Sequence, residues 1–289
     1  MKIMSILVLK VLFLLFISRF LSCETNSQGT SKIAKPGDYP WQVSVQFEGY
    51  GHLCIGTLIT LQHVFTTASC VRIGVRILEI YGRIIAGDLS TKLERNPNRQ
   101  IGYFTNITIH PEYDCQMTNN NAAVIQANEP FTATKYVHPV KVGRYNPKPF
   151  TICDITGWPV SNLTYPNAMN PTFSDIHSKR GRIQTAKLTV LYNEACGWFK
   201  EKDDLICLEY DTSRKGSICP RLEGASLTCN RIFLGMYTGT DKCDRTHHLY
   251  RIPSIPFYRD FIVMALTNKS TYHDHSMDFY VLIVLLFSC

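Results

Sequence analysis

The sequence predicts an all-β domain, a sandwich or barrel of antiparallel sheet, closed by one C-terminal α-helix. Between Pro40 and about Leu266, short runs of β-branched and aromatic residues alternate with Gly, Pro, Asn and Asp. Many short strands separated by turn residues are typical of barrels and sandwiches. The same stretch contains no internal repeat, no low-complexity linker and no long helical periodicity, so the strand interpretation applies to most of its length.

The individual elements follow from these runs. The polar segment 143–149 near the middle of the chain is expected to connect two halves. The closing helix is predicted over residues 256–266, where Phe257, Phe261 and Ile262 recur at helical spacing. Runs that exemplify the predicted strands are residues 41–47, 84–87 and 187–191.

Length and charge exclude some classes of function. A chain of 289 residues can hold one large all-β domain or two ordinary ones, and it is long enough to bury a real hydrophobic core. The formal charge of +7 falls to +4 without the three basic residues in the first 23 positions. No run of five or six like charges and no basic helix is present, so nucleic acid is not an expected partner.

The first 23 residues have the features of a secretory signal peptide. Lys2 provides a positive charge, the stretch 6–17 is mostly apolar, and polar residues follow a predicted cleavage site near Ser22 or Cys23. The alternative is a membrane anchor, which needs about 20 apolar residues; Lys10 and Arg19 interrupt this one. We therefore expect a protein that is secreted or held on the extracellular face of the plasma membrane.

The last 22 residues, 268–289, resemble an attachment signal for glycosylphosphatidylinositol. A polar spacer, 271–278, precedes an apolar tail, 279–287, which is the order that such signals require. Asn268 or Ser270 would be the attachment residue, although Lys269 and Tyr272 are large for such a site. The alternative is a C-terminal strand or helix buried on the domain.

Eleven cysteines in a chain with a predicted signal peptide indicate disulfides rather than metal sites. No CxxC pair and no tight Cys/His cluster occurs, so no metal or cofactor is expected. His63 is interpreted as an ordinary surface histidine. The pairs His247–His248 and His273 with His275 are interpreted as solvated side chains rather than metal ligands. Predicted N-glycosylation sites are Asn106, Asn162 and Asn268.

Six motifs occur in an order and spacing that identify a family. They lie at residues 40–45 (PWQVSV), 54–59 (CIGTLI), 65–70 (FTTASC), 109–113 (IHPEY), 153–158 (CDITGW) and 205–207 (LIC). They resemble motifs of the trypsin-like serine proteases, and the resemblance covers residues 38–267. It implies two packed six-stranded antiparallel β-barrels, over about 38–144 and 145–255, followed by the C-terminal helix.

The resemblance also implies how eight of the cysteines pair. The implied disulfides are Cys54–Cys70, Cys153–Cys229, Cys196–Cys207 and Cys219–Cys243. Cys23 would leave with the signal peptide and Cys289 with the tail, while no partner is implied for Cys115.

The positions that the resemblance assigns to catalysis carry other residues. The histidine that acts as the general base is replaced by Ser69, the aspartate that orients it by Asn121, and the nucleophilic serine by Glu223. A hydroxyl cannot accept a proton as imidazole does at neutral pH. Arg221 replaces a glycine that shapes the oxyanion hole.

Activation and substrate binding have changed as well, by the same resemblance. Leu222 replaces the acidic residue that captures the new N-terminus after cleavage of a precursor, and the segment 24–37 lacks an activation site. Ser217 lies at the base of the specificity pocket, and the edge that binds substrate backbone falls on residues 238–240.

The sequence therefore predicts an inactive serine protease homologue that acts by binding or regulating an extracellular protein. One alternative is a decoy that binds protease inhibitors or cofactors in competition with active relatives. The other is a hydrolase with a rebuilt site around Glu223, for which the resemblance places no second acid nearby.

Overall fold

The computed structural model describes residues 32–48, 51–72, 80–91, 96–116, 119–158, 182–197, 204–210, 223–239 and 249–267. The predicted signal peptide, the C-terminal spacer and tail, and the sites Asn162 and Asn268 lie outside these stretches. Among the described residues, no helix combines the length and the apolar character needed to cross a membrane.

Strands dominate the described residues, and fourteen are defined. They are β1 (Lys32–Ile33), β2 (Gln42–Phe47), β3 (Gly51–Leu58), β4 (His63–Thr66), β5 (Gly82–Ala86), β6 (Gln100–Ile109), β7 (Ala123–Ala127), β8 (Lys141–Val142), β9 (Ile152–Gly157), β10 (Gln184–Val190), β11 (Leu205–Tyr210), β12 (Ser226–Cys229), β13 (Ile232–Met236) and β14 (Leu249–Pro253). Helix α1 (Ala68–Arg72) follows β4, and helix α2 (Arg259–Thr267) closes the described part of the chain.

The first six-stranded unit is a closed barrel in the order β2-β3-β4-β7-β6-β5, with β5 pairing back to β2. Strand β2 is buried on both of its faces. Val43 and Val45 point into the barrel and are fully buried, while Gln42, Ser44 and Gln46 on the opposite face are buried as well. Gln42 Oε1 accepts a hydrogen bond of 2.9 Å from Ser226 Oγ on β12, so the second unit covers this outer face.

The second unit is a curled sheet built on six antiparallel strands in the order β14-β11-β10-β9-β12-β13. An isolated bridge between Gly235 and Ser254 joins its two ends. Two short strands extend it, since β1 pairs with β10 and β8 runs parallel to β13. The predicted all-β fold is confirmed, and the connection between the barrels already joins the second sheet at Lys141.

The two barrels share an aromatic cluster. Phe233 on β13 belongs to the hydrophobic core of the first barrel, where its ring lies 5.8 Å from that of Phe65 on β4. The rings of Tyr258 and Phe261 lie 6.0 and 6.5 Å from Phe65. The C-terminal segment is therefore fixed by side chains from both barrels.

The closing helix is present, with one difference from the expected apolar face. Residues Pro256–Tyr258 form a 3₁₀ turn before α2 begins. Phe261 and Ile262 are buried as predicted, but Phe257 is 49% exposed. The tighter 3₁₀ geometry changes the angle between successive side chains, which takes Phe257 away from the face predicted for a continuous α-helix.

Three of the four implied disulfides are present, namely Cys54–Cys70, Cys153–Cys229 and Cys196–Cys207. Cys219 and Cys243 lie outside the described residues. Cys115, for which the resemblance implied no partner, is disulfide-bonded. Each native disulfide typically stabilises a secreted domain by about 2–4 kcal/mol.

A buried ion pair fixes the loop after β5. Asp88 is 7% exposed, and its Oδ2 accepts a hydrogen bond of 2.6 Å from Arg99 Nε. Its other oxygen accepts from the Ser90 backbone N–H and from Asn96 Nδ2, both at 3.0 Å. Every one of these contacts therefore holds residues of the same loop together.

We predict that Arg99→Met lowers the free energy of unfolding by about 3–5 kcal/mol, because it leaves the buried Asp88 carboxylate without its cation. Denaturant unfolding measures this. Lys187→Met is the matched control, since Lys187 and Asp154 form an exposed pair at 3.6 Å, and loss of such a pair costs about 0–1 kcal/mol. Equal effects of the two substitutions would contradict the account of this loop.

His52 on β3 is held as a neutral imidazole. Its Nδ1 lies 2.7 Å from Ser44 Oγ, and its ring lies 5.4 Å from that of the buried Trp158. Burial lowers the pKa of His52 to about 4. Between that value and the ordinary histidine pKa of about 6.5 the unfolded chain binds a proton that the folded protein does not, so stability is lost as the pH falls through this window.

We predict that replacing His52 by Gln flattens the dependence of the unfolding midpoint on pH between about 7.5 and 4.5, the range that spans the titration of an ordinary histidine. Thermal unfolding of the wild type and the variant at both pH values gives the comparison. His138→Gln is the control, because His138 is exposed and should leave the dependence unchanged. A His52→Gln protein with the full wild-type dependence would show that other groups cause it.

Candidate functional site

The three positions that the resemblance assigns to a catalytic triad meet at one point between the barrels. Ser69 lies in α1, which is tied to β3 by the Cys54–Cys70 disulfide. Asn121 precedes β7 and is 2% exposed. Glu223 precedes β12 and is half-buried. Segments of both barrels thus supply side chains to the same small volume.

Asn121 and Ser69 bond to each other through three contacts. Asn121 Oδ1 accepts from the Ser69 backbone N–H at 2.8 Å and lies 3.1 Å from Ser69 Oγ. Asn121 Nδ2 donates to Ser69 Oγ at 2.8 Å. A serine hydroxyl has one proton, and both Asn121 Oδ1 and Glu223 Oε1 lie within hydrogen-bonding distance of it. The Glu223 carboxylate is the stronger acceptor of the two.

Glu223 Oε1 accepts hydrogen bonds from two hydroxyls. One comes from Ser69 Oγ and the other, at 2.9 Å, from the fully buried Thr67 Oγ1. Hydrogen bonds to an ionised acceptor are stronger than those between neutral groups. A continuous network therefore runs from Asn121 through Ser69 to Glu223 and Thr67.

The backbone around Glu223 fixes where its side chain begins. The Ile55 N–H donates to Glu223 O at 3.0 Å, and the Gly224 N–H donates to Tyr237 O at 2.8 Å. Gly224 has φ +84°, and a Cβ atom there would lie 1.9 Å from Ile55 O. Only glycine satisfies both the left-handed backbone and this close approach, so the turn that presents Glu223 keeps its shape.

Sequence reasoning missed Thr67, Tyr113 and Arg72. The pKa of the Tyr113 hydroxyl is raised, mainly by burial and also by the Glu223 charge. The charge of Arg72 and hydrogen bonds with Ser69 and Arg72 act in the opposite direction. Thr67 and Tyr113 both fall within the quoted motifs, FTTASC and IHPEY, but neither is a position to which those motifs assign chemistry.

No imidazole among the described residues bonds to this network. His52 contacts Ser44, and His63 Nδ1 lies 2.8 Å from Thr60 Oγ1. His63 is half-buried and burial lowers its pKa, so it is less solvated than the sequence suggested. His110 packs against the Phe261 ring at 4.9 Å.

The edge expected to bind substrate backbone is partly described. Thr238 is 9% exposed, and a Cβ atom at Gly239 would lie 3.9 Å from Glu223 Cβ. This edge therefore borders the network. Several residues with an implied role lie outside the described stretches, namely Ser217, Arg221, Leu222 and Thr240.

The described residues bear on the predictions about metal binding and about one glycosylation site. Within the described stretches, no group of three or more His, Cys, Asp or Glu side chains is arranged to hold a metal ion. The histidines at 247, 248, 273 and 275 lie outside those stretches. Asn106 is half-buried on β6, and its glycosylation stays a prediction.

Comparison with known proteins gives relatives in sequence. Atrial natriuretic peptide-converting enzyme from Rattus norvegicus is 26% identical over 206 residues, which cover 69% of this chain and 17% of that protein. Its Homo sapiens counterpart is 26% identical over 208 residues, with 69% and 18% covered. The chain thus spans less than a fifth of the length of these relatives.

Solved structures show the same fold. Human heparin binding protein has a TM-score of 0.65 at 21% identity, and a structure described as HBP at atomic resolution has 0.66 at 20%. Each likeness covers 83% of this chain and 97% of the other. The profile of the family described as Trypsin matches residues 29–262, and the chain therefore belongs to the trypsin family.

Proposed function

We propose that this trypsin-family protein does not cleave peptide bonds and acts outside the cell by binding a protein partner. One observation carries the proposal. The three positions where the family resemblance places a nucleophile, a base and an orienting acid hold Glu223, Ser69 and Asn121, and these side chains are bonded to one another. The network fills the reaction centre with hydrogen bonds that require no substrate.

The network lacks the two groups that acyl transfer needs in this family, a nucleophilic hydroxyl at position 223 and an imidazole base at position 69. The family mechanism needs a hydroxyl that attacks the carbonyl carbon and an imidazole that takes its proton. Here the hydroxyl of Ser69 lies at the position of the base, and it donates to Glu223. Loss of the nucleophile or the base alone reduces turnover by about 10⁶ in a serine protease of another fold that uses the same triad.

A rebuilt hydrolase around Glu223 is less well supported. A glycosidase needs two carboxyl groups about 5–9.5 Å apart, one on each side of the bond that breaks. In the described part of the chain, the groups that bond to the Glu223 carboxylate are the hydroxyls of Thr67 and Ser69. Neither can replace the second carboxyl group.

A binding role agrees with the features that remain. The disulfides and the closed barrel provide a rigid scaffold, on which surface loops can recognise a partner without catalysis. The predicted signal peptide and N-glycosylation sites direct such a role to the extracellular side. Fold alone does not determine function, so the proposed lack of catalysis rests on the residues of the site.

We predict that the purified, secreted protein neither hydrolyses a broad panel of peptide substrates nor reacts with a serine-directed fluorophosphonate probe. Bovine trypsin in the same assay shows that substrates and probe are competent. Glu223→Ala and the exposed control Glu129→Ala should be as silent as the wild type.

Two results would contradict the proposal. Turnover that copurifies with the protein and disappears in Glu223→Ala, but not in Glu129→Ala, would show a rebuilt active site. Covalent labelling that disappears in Ser69→Ala would show that the Ser69 hydroxyl is nucleophilic.

A further inference from the structure

A groove with a volume of about 620 Å³ lies on the second barrel, outside the network around Glu223. One wall is the segment that joins the two barrels, and the other is the hairpin of β12 and β13. Its polar lining includes Lys141, Arg144, Tyr145, Asn146 and Asn230. Its size is that of a site for a small organic molecule or a few sugar units.

The charged side chains that line this groove, Lys141 and Arg144, are both basic. Residues 130–153 include four Lys or Arg residues and no Asp or Glu. Lys141 and Arg144 are exposed at the groove, and Lys148 is exposed close by in sequence. None of these three forms an ion pair with a described carboxylate, in contrast to Lys187 with Asp154. An anion that enters the groove thus meets cations with no competing partner among the described residues.

The connecting wall is held rigidly although much of it is not regular strand. The Gly143 N–H donates to Phe233 O at 2.9 Å, and the Phe150 N–H donates to Val190 O at 2.7 Å. Between these points, Asn146 Oδ1 accepts from the hydroxyl of the fully buried Ser254. A wall fixed in this way loses little conformational entropy when a ligand binds.

The hairpin wall is fixed as well. Asn230 and Arg231 both have left-handed backbone, with φ of 52° and 61°, as a two-residue turn between twisted strands requires. The Arg231 guanidinium lies 4.9 Å from the centre of the Trp41 ring, and its Nη1 donates to Asp38 O at 3.2 Å. Arg231 is thereby held towards the first barrel, while Asn230 lines the groove.

The connecting segment carries two exposed aromatic side chains, of which one, Tyr145, lines the groove. Tyr145 is 83% exposed. Phe150 is 67% exposed although its backbone is left-handed, with φ of 65°, a conformation that costs free energy for a bulky residue. Its ring meets the exposed Tyr192 ring edge to face at 5.6 Å. Exposed aromatic rings beside amide groups and cations can stack on sugar rings while the polar groups bind their substituents.

We propose that this groove binds a linear sulfated polysaccharide, with Lys141 and Arg144 pairing with sulfate groups and Tyr145 stacking on a sugar ring. The cations and Tyr145 of the groove favour this ligand, whereas an identity of 21% to the heparin binding protein carries over only the fold. This site adds to the proposed binding role an extracellular ligand of defined chemistry.

Two other anionic ligands fit the observations less well. A membrane surface is broad and flat, whereas this site is a concave groove with amide groups inside it. An acidic peptide would satisfy the cations, but it would make less use of Tyr145 and of the Asn146 and Asn230 amides. The acidic peptide is therefore the competing outcome of the test.

The test uses the full-length secreted protein and a heparin-derived octasaccharide, with binding measured by calorimetry at about 50 and 150 mM salt. We expect saturable binding that weakens at the higher salt concentration. Lys141→Gln/Arg144→Gln should weaken binding at least tenfold, and Tyr145→Ala at least threefold. Lys32→Gln/Lys35→Gln removes the same charge from exposed positions outside the groove and should change affinity less than twofold.

Several outcomes would overturn the inference. These are no octasaccharide binding at the lower salt concentration, equal losses in the two double variants, and equally tight binding of a poly-glutamate chain of matched charge. Near-ultraviolet circular dichroism confirms that each variant is folded, which is expected because the substituted residues are exposed. This test is independent of the peptidase assay. A protein that does not bind the octasaccharide could still lack peptidase activity, and a protein that hydrolyses peptides could still bind the octasaccharide.

Discussion

The close approach of the Glu223–Gly224 turn to Ile55 sets the geometry on which the site depends. Ile55 belongs to the first barrel and Glu223 leads into the second, and their backbones bond directly at 3.0 Å. A side chain at Gly224 would collide with the Ile55 carbonyl oxygen. The constraint acts on the backbone, so it survives changes in the side chain at 223. It explains how the turn keeps its shape whichever side chain stands at position 223.

The side chains that now fill this site have the character of a structural contact. Glu223 accepts hydrogen bonds from the hydroxyls of Thr67 and Ser69, and Asn121 bonds to Ser69 in turn. These groups belong to both barrels, and Asn121 and Thr67 are almost completely buried. Buried polar groups with satisfied hydrogen bonds favour a single arrangement of the parts that they join.

The sequence predicts the strands and the helix whose apolar residues recur at a regular spacing. Val43 and Val45 alternate with polar residues and indicate a strand, and the spacing of Phe261 and Ile262 indicates a helix. The pattern could not show that Gln42, on the polar face, is also buried, because this depends on its contact with Ser226 of the second barrel. Nor could it show that a 3₁₀ turn places Phe257 in solvent.

The site was predictable only as a set of positions. The family resemblance singles out Ser69, Asn121 and Glu223, and the structure brings them together. Thr67 and Tyr113 join them through contacts between segments that are far apart in sequence, which no spacing rule describes. The role of Gly224 is likewise visible only once Ile55 is seen against it.

The free energy of unfolding of Glu223→Ala tests most directly whether the network around Glu223 is a structural contact, as proposed. We predict a loss of about 1–3 kcal/mol, because the buried Thr67 hydroxyl loses its carboxylate acceptor and Ser69 keeps only Asn121 Oδ1 at 3.1 Å. Glu129→Ala, at an exposed position, should change it by about 0.5 kcal/mol or less. A Glu223→Ala protein as stable as the wild type, or more stable, would contradict this account, because residues kept for activity are often held at the expense of stability.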